Sequence, residues 1–191
     1  MLITLSTSGP SSTLRVHAWR KLRSLGALAL AQSVYLVPEC PATVRAVNRL
    51  LVRVRREEAR GQLLHLRLDP REEREMIASF CAERADEYGE IVERTRDFLA
   101  EIEMERERGR TTYTEVEESD ADLARFQKWL AAVRKRDYFG ADGREQAEAA
   151  VDACEKALSE FEAEAFASEL ASDEAPAANT PALRVVDPGT S

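Results

Sequence analysis

The sequence predicts an α+β protein in which a ferredoxin-like N-terminal sandwich is followed by an antiparallel helical unit. Strand and helix patterns in the first 70 residues follow the order strand, helix, one or two strands, helix, strand, which places both helices on one face of a sheet. From residue 71 onward, apolar residues recur at helical spacing. The charge changes at the same point: residues 1–70 carry 11 Lys and Arg against 4 Asp and Glu, and the remainder carries 16 against 31.

These patterns divide the chain into a basic ferredoxin-like α+β domain (1–70), an acidic helical region (71–171) and a tail (172–191). The apolar fraction of 44% is enough for a packed core in a chain of 191 residues, which excludes wholesale disorder. The tail is rich in Ala, Pro, Ser, Asp and Thr, a composition that predicts disorder.

The basic domain begins with a short apolar run that predicts a strand at residues 2–5. A helix is predicted at 13–25, because Gly26 stands where a left-handed residue ends a helix. Residues 27–37 fit one bent strand or a hairpin that turns near Gln32.

The second helix of the basic domain is predicted at 41–60. Pro41 suits its first turn, and Gly61 is expected to stop it. Alternating apolar and polar residues then predict a half-exposed strand at 63–68.

The acidic region predicts three helical stretches with short connections. The first runs to Gly109, with Gly89 as a point that could divide it into two helices, and residues 110–118 are predicted to be a polar loop. Ser119 resembles the start of a capping box for the next helix, which ends at residues 137–140. The last helix, at 143–170, aligns on one side Ala147, Val151, Cys154, Leu158, Phe161 and Phe166.

Targeting signals are not evident. The N-terminus lacks the basic and apolar segments of a signal peptide, and the longest apolar run is far shorter than the ~20 residues that a membrane span needs. We therefore expect a cytoplasmic protein without a membrane partner.

The strongest candidate for a binding surface is the second helix of the basic domain. Five arginines repeat every three or four residues and so share one helical face: Arg45, Arg49, Arg53, Arg56 and Arg60. Such a stripe repels itself unless anions lie across it, and phosphates match the guanidinium fork. Three interpretations are open: an external anion such as DNA, a solvated face, or pairing within the chain with the acidic stripe Glu83, Glu87, Glu90, Glu93, Asp97 and Glu101.

The first helix carries a second candidate face. Arg15, Trp19 and Arg23 repeat every four residues, so the indole could stack on a base between two cations. Arg20 adds basic density beside this line. The alternative is that Trp19 packs against the helical region.

The loop at residues 6–12 is a third, weaker candidate. Its free backbone N–H groups ahead of a helix, together with Ser8, Ser12, Thr13 and Arg15, could bind a phosphate or another oxyanion. An ordinary capped turn is the alternative, because the spacing fits no phosphate-loop motif.

Enzyme signatures are missing from the sequence. No GxSxG, GxxxxGK[ST] or paired metal-ligand motif occurs, so we expect no catalytic residues, no metal and no cofactor. Cys40, Cys81 and Cys154 are widely spaced and odd in number, which is typical of reduced thiols.

Several segments resemble a known family. Residues 12–27 (STLRVHAWRKLRSLGA), 33–38 (SVYLVP) and 136–140 (RDYFG), with the helix that follows, are similar to the N-terminal domain of the bacterial ChrB family of chromate-resistance regulators. The resemblance covers residues 1–170. It implies a transcription-regulatory role, with DNA bound by the basic N-terminal part.

Longer members of that family continue into a second domain linked to the chromate response, whereas this sequence continues into its low-complexity tail. We therefore expect no sensor domain here. The expected partners are DNA, chromate as a candidate oxyanion effector, and a second copy in a homodimer. The alternative function is a non-enzymatic ferredoxin-like interaction module whose basic and acidic halves pair internally, without DNA.

The order of elements also resembles the small ferredoxin-like nucleases of CRISPR adaptation and the middle domain of phenylacetate-type repressors. Those nucleases hold a metal with an acidic residue at the end of the first strand. This chain has Ser6 and Thr7 there, so a metal nuclease is not expected.

Overall fold

The first part of the chain forms an antiparallel four-stranded sheet with two helices on one face. The computed structural model describes residues 1–6, 12–109 and 113–173. The sheet order is β2-β3-β1-β4, and every neighbouring pair is antiparallel, which is the ferredoxin-like arrangement. The α+β prediction is confirmed. The elements of this unit are β1 (Leu2–Ser6), α1 (Ser12–Ser24), β2 (Leu28–Ala31), β3 (Val34–Leu36), α2 (Pro41–Arg56) and β4 (Arg60–Leu64).

Alternation along β1 separates the two faces of the sheet. Ile3 and Leu5 are buried beneath α1 and α2, in a core that also contains Leu14, Val47 and Val54. Leu2 points to the opposite face, which we call the outer face, where it joins a smaller cluster with Leu28, Leu36, Met76 and Phe80. Both faces of the sheet therefore carry apolar contacts.

Residues 27–37 form the hairpin rather than the bent strand. Ser33 adopts a left-handed backbone (φ 64°) at the turn between β2 and β3. Gly26 is also left-handed (φ 66°), and the N–H of Ala27 donates to the carbonyl oxygen of Leu22 at 3.1 Å, as predicted for the end of α1.

Helix α2 is one turn shorter than predicted. The chain leaves the helix after Arg56 through a left-handed residue, Glu58 (φ 58°). Arg60 therefore begins β4 and is not part of the helical stripe. Strand β4 starts three residues earlier and ends four residues earlier than predicted. Gly61 passes close to α2 there, since a Cβ would lie 2.6 Å from Cδ2 of Leu51.

The second part of the chain is a three-helix bundle of α3 (Pro70–Glu107), α4 (Tyr113–Arg136) and α5 (Arg144–Asp173). Asp69 caps α3 by accepting the N–H groups of Arg71 and Glu72. Gly89 does not divide α3, which is one continuous helix; the nearby residues Tyr88 and Ile91 are fully buried in the bundle and stabilise the helix on both sides of it.

Two further predictions about the bundle are wrong. Residues 113–118 are the first turns of α4, so Ser119 lies inside a helix and opens no capping box. Val116 packs against the bundle core, which explains why the helix starts early. Phe166 is 55% exposed, and Ala165 takes the buried position in its place (2% exposed).

The two parts meet at the end of α1. The hydroxyl of Tyr138 donates to the carbonyl oxygen of Leu25 at 2.9 Å, and the side chains of Arg84 and Arg136 lie against Gly26. Glu87 binds both arginines, at 3.0 Å from Nε of Arg84 and 2.8 Å from Nη2 of Arg136. Two guanidinium groups at a helix C-terminus also oppose its partial negative charge.

The replacement Gly26→Ala should destabilise the protein more than Gly109→Ala. Both glycines are left-handed, but a Cβ at Gly26 would lie 2.9 Å from Nη1 of Arg84, whereas one at Gly109 meets nothing within 4 Å. Overpacking of this kind costs about 1–3 kcal/mol beyond the backbone strain that both variants share. Urea unfolding of the two variants measures the difference. Equal losses in the free energy of unfolding would show that the side chains at the junction move aside for the new Cβ without destabilising the protein.

Residues 174–191, which include most of the tail predicted to be disordered, lie outside the described residues. Among the helices of the described ranges, none combines the length and apolar character that crossing a bilayer requires.

Candidate nucleic-acid interface

Helix α2 is amphipathic and firmly seated on the sheet. Thr43 organises its first turn: its hydroxyl accepts the N–H of Cys40 at 3.0 Å and donates to the carbonyl oxygen of Pro38 at 2.7 Å. Val47 and Val54 are fully buried against the sheet. The side of α2 that carries the arginines must then face away from the core.

The four helical arginines, Arg45, Arg49, Arg53 and Arg56, form a surface that we call the arginine stripe. All four are exposed. Between its first and last members the helix rises about 16 Å, at 1.5 Å per residue. The stripe is therefore a continuous cationic ridge on a rigid element.

Internal pairing does not neutralise the arginine stripe. Arg53 binds Glu57 one turn on at 3.0 Å, and its Nη1 lies 3.2 Å from Nε2 of His17. Across the described residues, no ion pair joins the stripe to α3. The interpretation that the arginine stripe pairs with the acidic stripe of α3 is therefore wrong.

The reason is the placement of α3. Its first turns pack on the outer face of the sheet, while α2 lies on the opposite face. Two members of the acidic stripe have other partners: Glu83 and Glu87 bind Arg84, which is only 6% exposed, and Glu87 also binds Arg136.

Trp19 on α1 packs only partly against the helical region. The residue stays 44% exposed, and the guanidinium carbon of Arg23 lies 5.5 Å from the ring centroid. Both side chains line a cleft of about 420 Å³ whose other wall is α3, with Glu83, Asp86, Glu87 and Glu90. Carboxylates on that wall repel a phosphate backbone.

The predicted residues of α1 fall on two flanks. His17 contacts Arg53, so its side of α1 faces α2. Arg20 is exposed and lies between that side and Arg23, because it is three residues from each. Trp19 and Arg23 lie on the opposite flank, toward α3. Trp19 and Arg23 therefore lie apart from the arginine stripe, and the place of Arg20 in a nucleic-acid interface stays a prediction.

The proposed oxyanion loop falls largely outside the described residues. Ser8 and the side chain of Ser12 belong to the part of the chain that the structure does not describe. Thr13 and Arg15 are exposed at the start of α1. The oxyanion site stays a prediction.

The three cysteines are unpaired thiols in different surroundings. The hydrogen bond from Thr43 lowers the pKa of Cys40, whereas burial raises the pKa of Cys81 and raises that of Cys154 to about 11. Within the described ranges, no group of three His, Cys, Asp or Glu side chains is arranged to hold a metal ion.

Sequence reasoning missed the junction residues Arg84 and Arg136, and it missed His17; it named Glu87, but as a candidate partner of the α2 arginines. In the sequence these charges look like any others on a helix surface, because their partners are 49 residues apart or on another element. The one available signal was Gly26, because a glycine at the end of a helix allows other side chains to pack close to the backbone.

Comparison with known proteins agrees with the segments noted in the sequence. The family described as "Protein ChrB, N-terminal" matches residues 15–172. Protein ChrB of Cupriavidus metallidurans is 27% identical over 151 residues, which is 78% of this chain and 43% of that protein. The chain thus spans less than half the length of this curated relative. No solved structure matches the chain significantly.

Proposed function

The chain belongs to the ChrB N-terminal family, and on that premise we propose that it is a non-enzymatic, cytoplasmic regulator in bacterial chromate resistance that acts by binding DNA. The observation that supports DNA binding best is the arginine stripe. It is exposed, it lies on a rigid helix, and α3 contributes no carboxylate to it.

The stripe fits a phosphate backbone in length and chemistry. A cationic ridge about 16 Å long spans about five phosphates of one DNA strand, which follow each other every 3.4 Å along the axis. Guanidinium groups bind phosphate oxygens through two parallel hydrogen bonds. The apolar face of α2 packs against the sheet and keeps the ridge in place.

The acidic region sets the limit of this interface. Asp86 and Glu90 lie beside Trp19 and Arg23, so DNA is expected to contact α2 and the adjoining side of α1, and to avoid the α1–α3 cleft. Phosphate contacts position a protein on DNA but do not read its sequence, so recognition of an operator requires further contacts to bases.

The test is fluorescence anisotropy with two duplexes of equal length, one from upstream of the chromate-resistance genes and one of mixed sequence. We expect saturable binding to both, with the logarithm of affinity falling against the logarithm of salt by about 0.9 for each phosphate contact, or about 3.6 for four arginines. A regulator should prefer the upstream duplex by about tenfold or more. Absence of binding at low salt would rule out the DNA role, and equal affinities would rule out operator recognition.

A further inference from the structure

The exposed face of α2 carries more than the arginine stripe. Asn48, Val52 and Arg55 are exposed as well, Val52 at 48%. At about 100° per residue, Val52 lies about 170° from the centre of the buried face and so on the outermost line of the helix. Asn48 and Arg55 lie on one side of that line, and Arg49 and Arg53 lie on the other. The exposed face is therefore cationic on both flanks.

The flank that carries Asn48 and Arg55 is open. Both residues are within about one turn of Leu51, whose side chain lies against Gly61 of β4. Strand β4 is an edge of the sheet and α3 packs on the opposite face, so within the described ranges no helix covers this flank. Helix α1 lies on the other flank, where His17 contacts the arginine stripe. Helix α2 is thus the outer helix of its layer.

Cations on two flanks fit the two phosphate strands that border a groove. Arg53 and Arg55 project about 160° apart around the helix axis, and Arg55 has no ion-pair partner among the described residues. A helix about 10–12 Å across with its side chains fits the major groove of B-DNA, which is about 12 Å wide. If α2 lay along a single strand from outside, Arg55 would point into solvent. The two flanks therefore favour a helix inserted in the groove.

Asn48 has the position and the chemistry to contact a base. It lies about 40° around the helix from Val52, and its side chain is much shorter than those of the arginines beside it. In a groove-bound helix such a side chain meets base edges rather than phosphates. Its amide presents a donor beside an acceptor, which match N7 and the N6 amino group of adenine. Asn48 can thus supply a base contact of the kind that the arginine stripe lacks.

We propose that α2 enters the major groove, that Asn48 reads an adenine through two hydrogen bonds, and that Arg55 binds the phosphate strand opposite the one that the arginine stripe follows. This assignment rests on the proposed DNA binding and adds a specificity-determining residue to it. Loss of a base contact lowers the preference between sequences, whereas loss of a phosphate contact lowers the salt dependence. The two roles are therefore separable by experiment.

The test is fluorescence anisotropy of the full chain with the upstream and mixed-sequence duplexes. Asn48→Ala should reduce the preference for the upstream duplex about tenfold and leave the salt dependence unchanged. Alanine favours a helix at this exposed position, so the variant keeps its fold. The matched control is Gln127→Ala, which removes an exposed amide from α4 and should leave the preference unchanged.

A modified base identifies the atom that Asn48 contacts. Placing 7-deazaadenine at one adenine of the upstream duplex at a time removes the N7 acceptor. At one or more of these positions the unmodified protein should lose affinity several-fold, because one hydrogen bond is lost. Asn48→Ala should bind the modified and unmodified duplexes equally at the same positions.

Arg55→Gln tests the second flank. It should lower affinity for both duplexes alike and make the slope of the logarithm of affinity against the logarithm of salt less steep by about 0.9, as for one phosphate contact. Its control is Arg74→Gln on α3, which removes the same charge from an exposed arginine and should leave the slope unchanged.

Three outcomes overturn this assignment and leave DNA binding intact. They are full preference in Asn48→Ala, equal loss of preference in Asn48→Ala and Gln127→Ala, and no adenine whose N7 matters to the unmodified protein. An unchanged slope in Arg55→Gln overturns insertion of α2 into the groove. If the unmodified protein binds neither duplex, or binds both equally, the proposed function fails together with this assignment.

Discussion

Replacing Arg45, Arg49 and Arg53 with Gln should weaken DNA binding on the order of a hundredfold at 0.1 M salt. The slope of the logarithm of affinity against the logarithm of salt concentration should become less steep by about 2.7, or about 0.9 for each arginine. Each arginine–phosphate contact that is lost reduces the number of counterions released on binding by about one, so the losses of affinity add along the stripe. The effect should be similar for both duplexes, because phosphate contacts carry no sequence information. The measurement is anisotropy at several salt concentrations.

The matched control is the triple variant Arg74→Gln, Arg94→Gln and Arg96→Gln on α3. It removes the same charge from exposed arginines that have no ion pair among the described residues, and it leaves α2 unchanged. Its salt dependence should equal that of the unmodified protein. If both triple variants behave alike, net charge rather than the arginine stripe governs binding. If neither changes affinity, the stripe makes no phosphate contacts.

Local signals in the sequence predict much of the fold. The left-handed Gly26 was predictable, because turn chemistry is decided by neighbouring residues, and the hairpin near Ser33 was one of the two possibilities that the sequence left open. The amphipathic face of α2 was predictable from its period. The errors occur where tertiary packing overrides a local signal: Val116 extends α4 past an apparent capping box, and burial of Tyr88 carries α3 through Gly89.

The candidate site was predictable residue by residue but not as a surface. Periodicity places the four arginines together and makes them exposed, as the structure confirms. It cannot tell which face of the sheet α3 will cover, and so it left pairing with the acidic stripe open. It also cannot tell which side of α1 faces α2, which is why Trp19 and Arg23 were predicted to bind DNA although they line the cleft toward α3.

Whether the two parts of the chain fold as one unit depends on the apolar contact beneath the outer face of the sheet. Phe80 of α3 is 6% exposed there and packs with Leu28 and Leu36, while its ring centroid lies 5.5 Å from that of Phe139. Phe139 is 40% exposed. The two phenylalanines thus form a matched pair, one buried between the parts and one at their margin.

Phe80→Ala should lower the free energy of unfolding by about 3–5 kcal/mol, and Phe139→Ala by roughly a third of that, because only the first leaves a cavity closed to solvent. The chain supplies one fluorescent reporter in each part, Trp19 on α1 and Trp129 on α4. With either tryptophan replaced by Phe, urea unfolding followed through the other reports on one part alone. If the parts form one cooperative unit, both reporters give the same midpoint, and Phe80→Ala shifts both equally. Separate midpoints, with only one shifted, would show that the ferredoxin-like unit and the bundle unfold independently and that the junction at Gly26 contributes little to either.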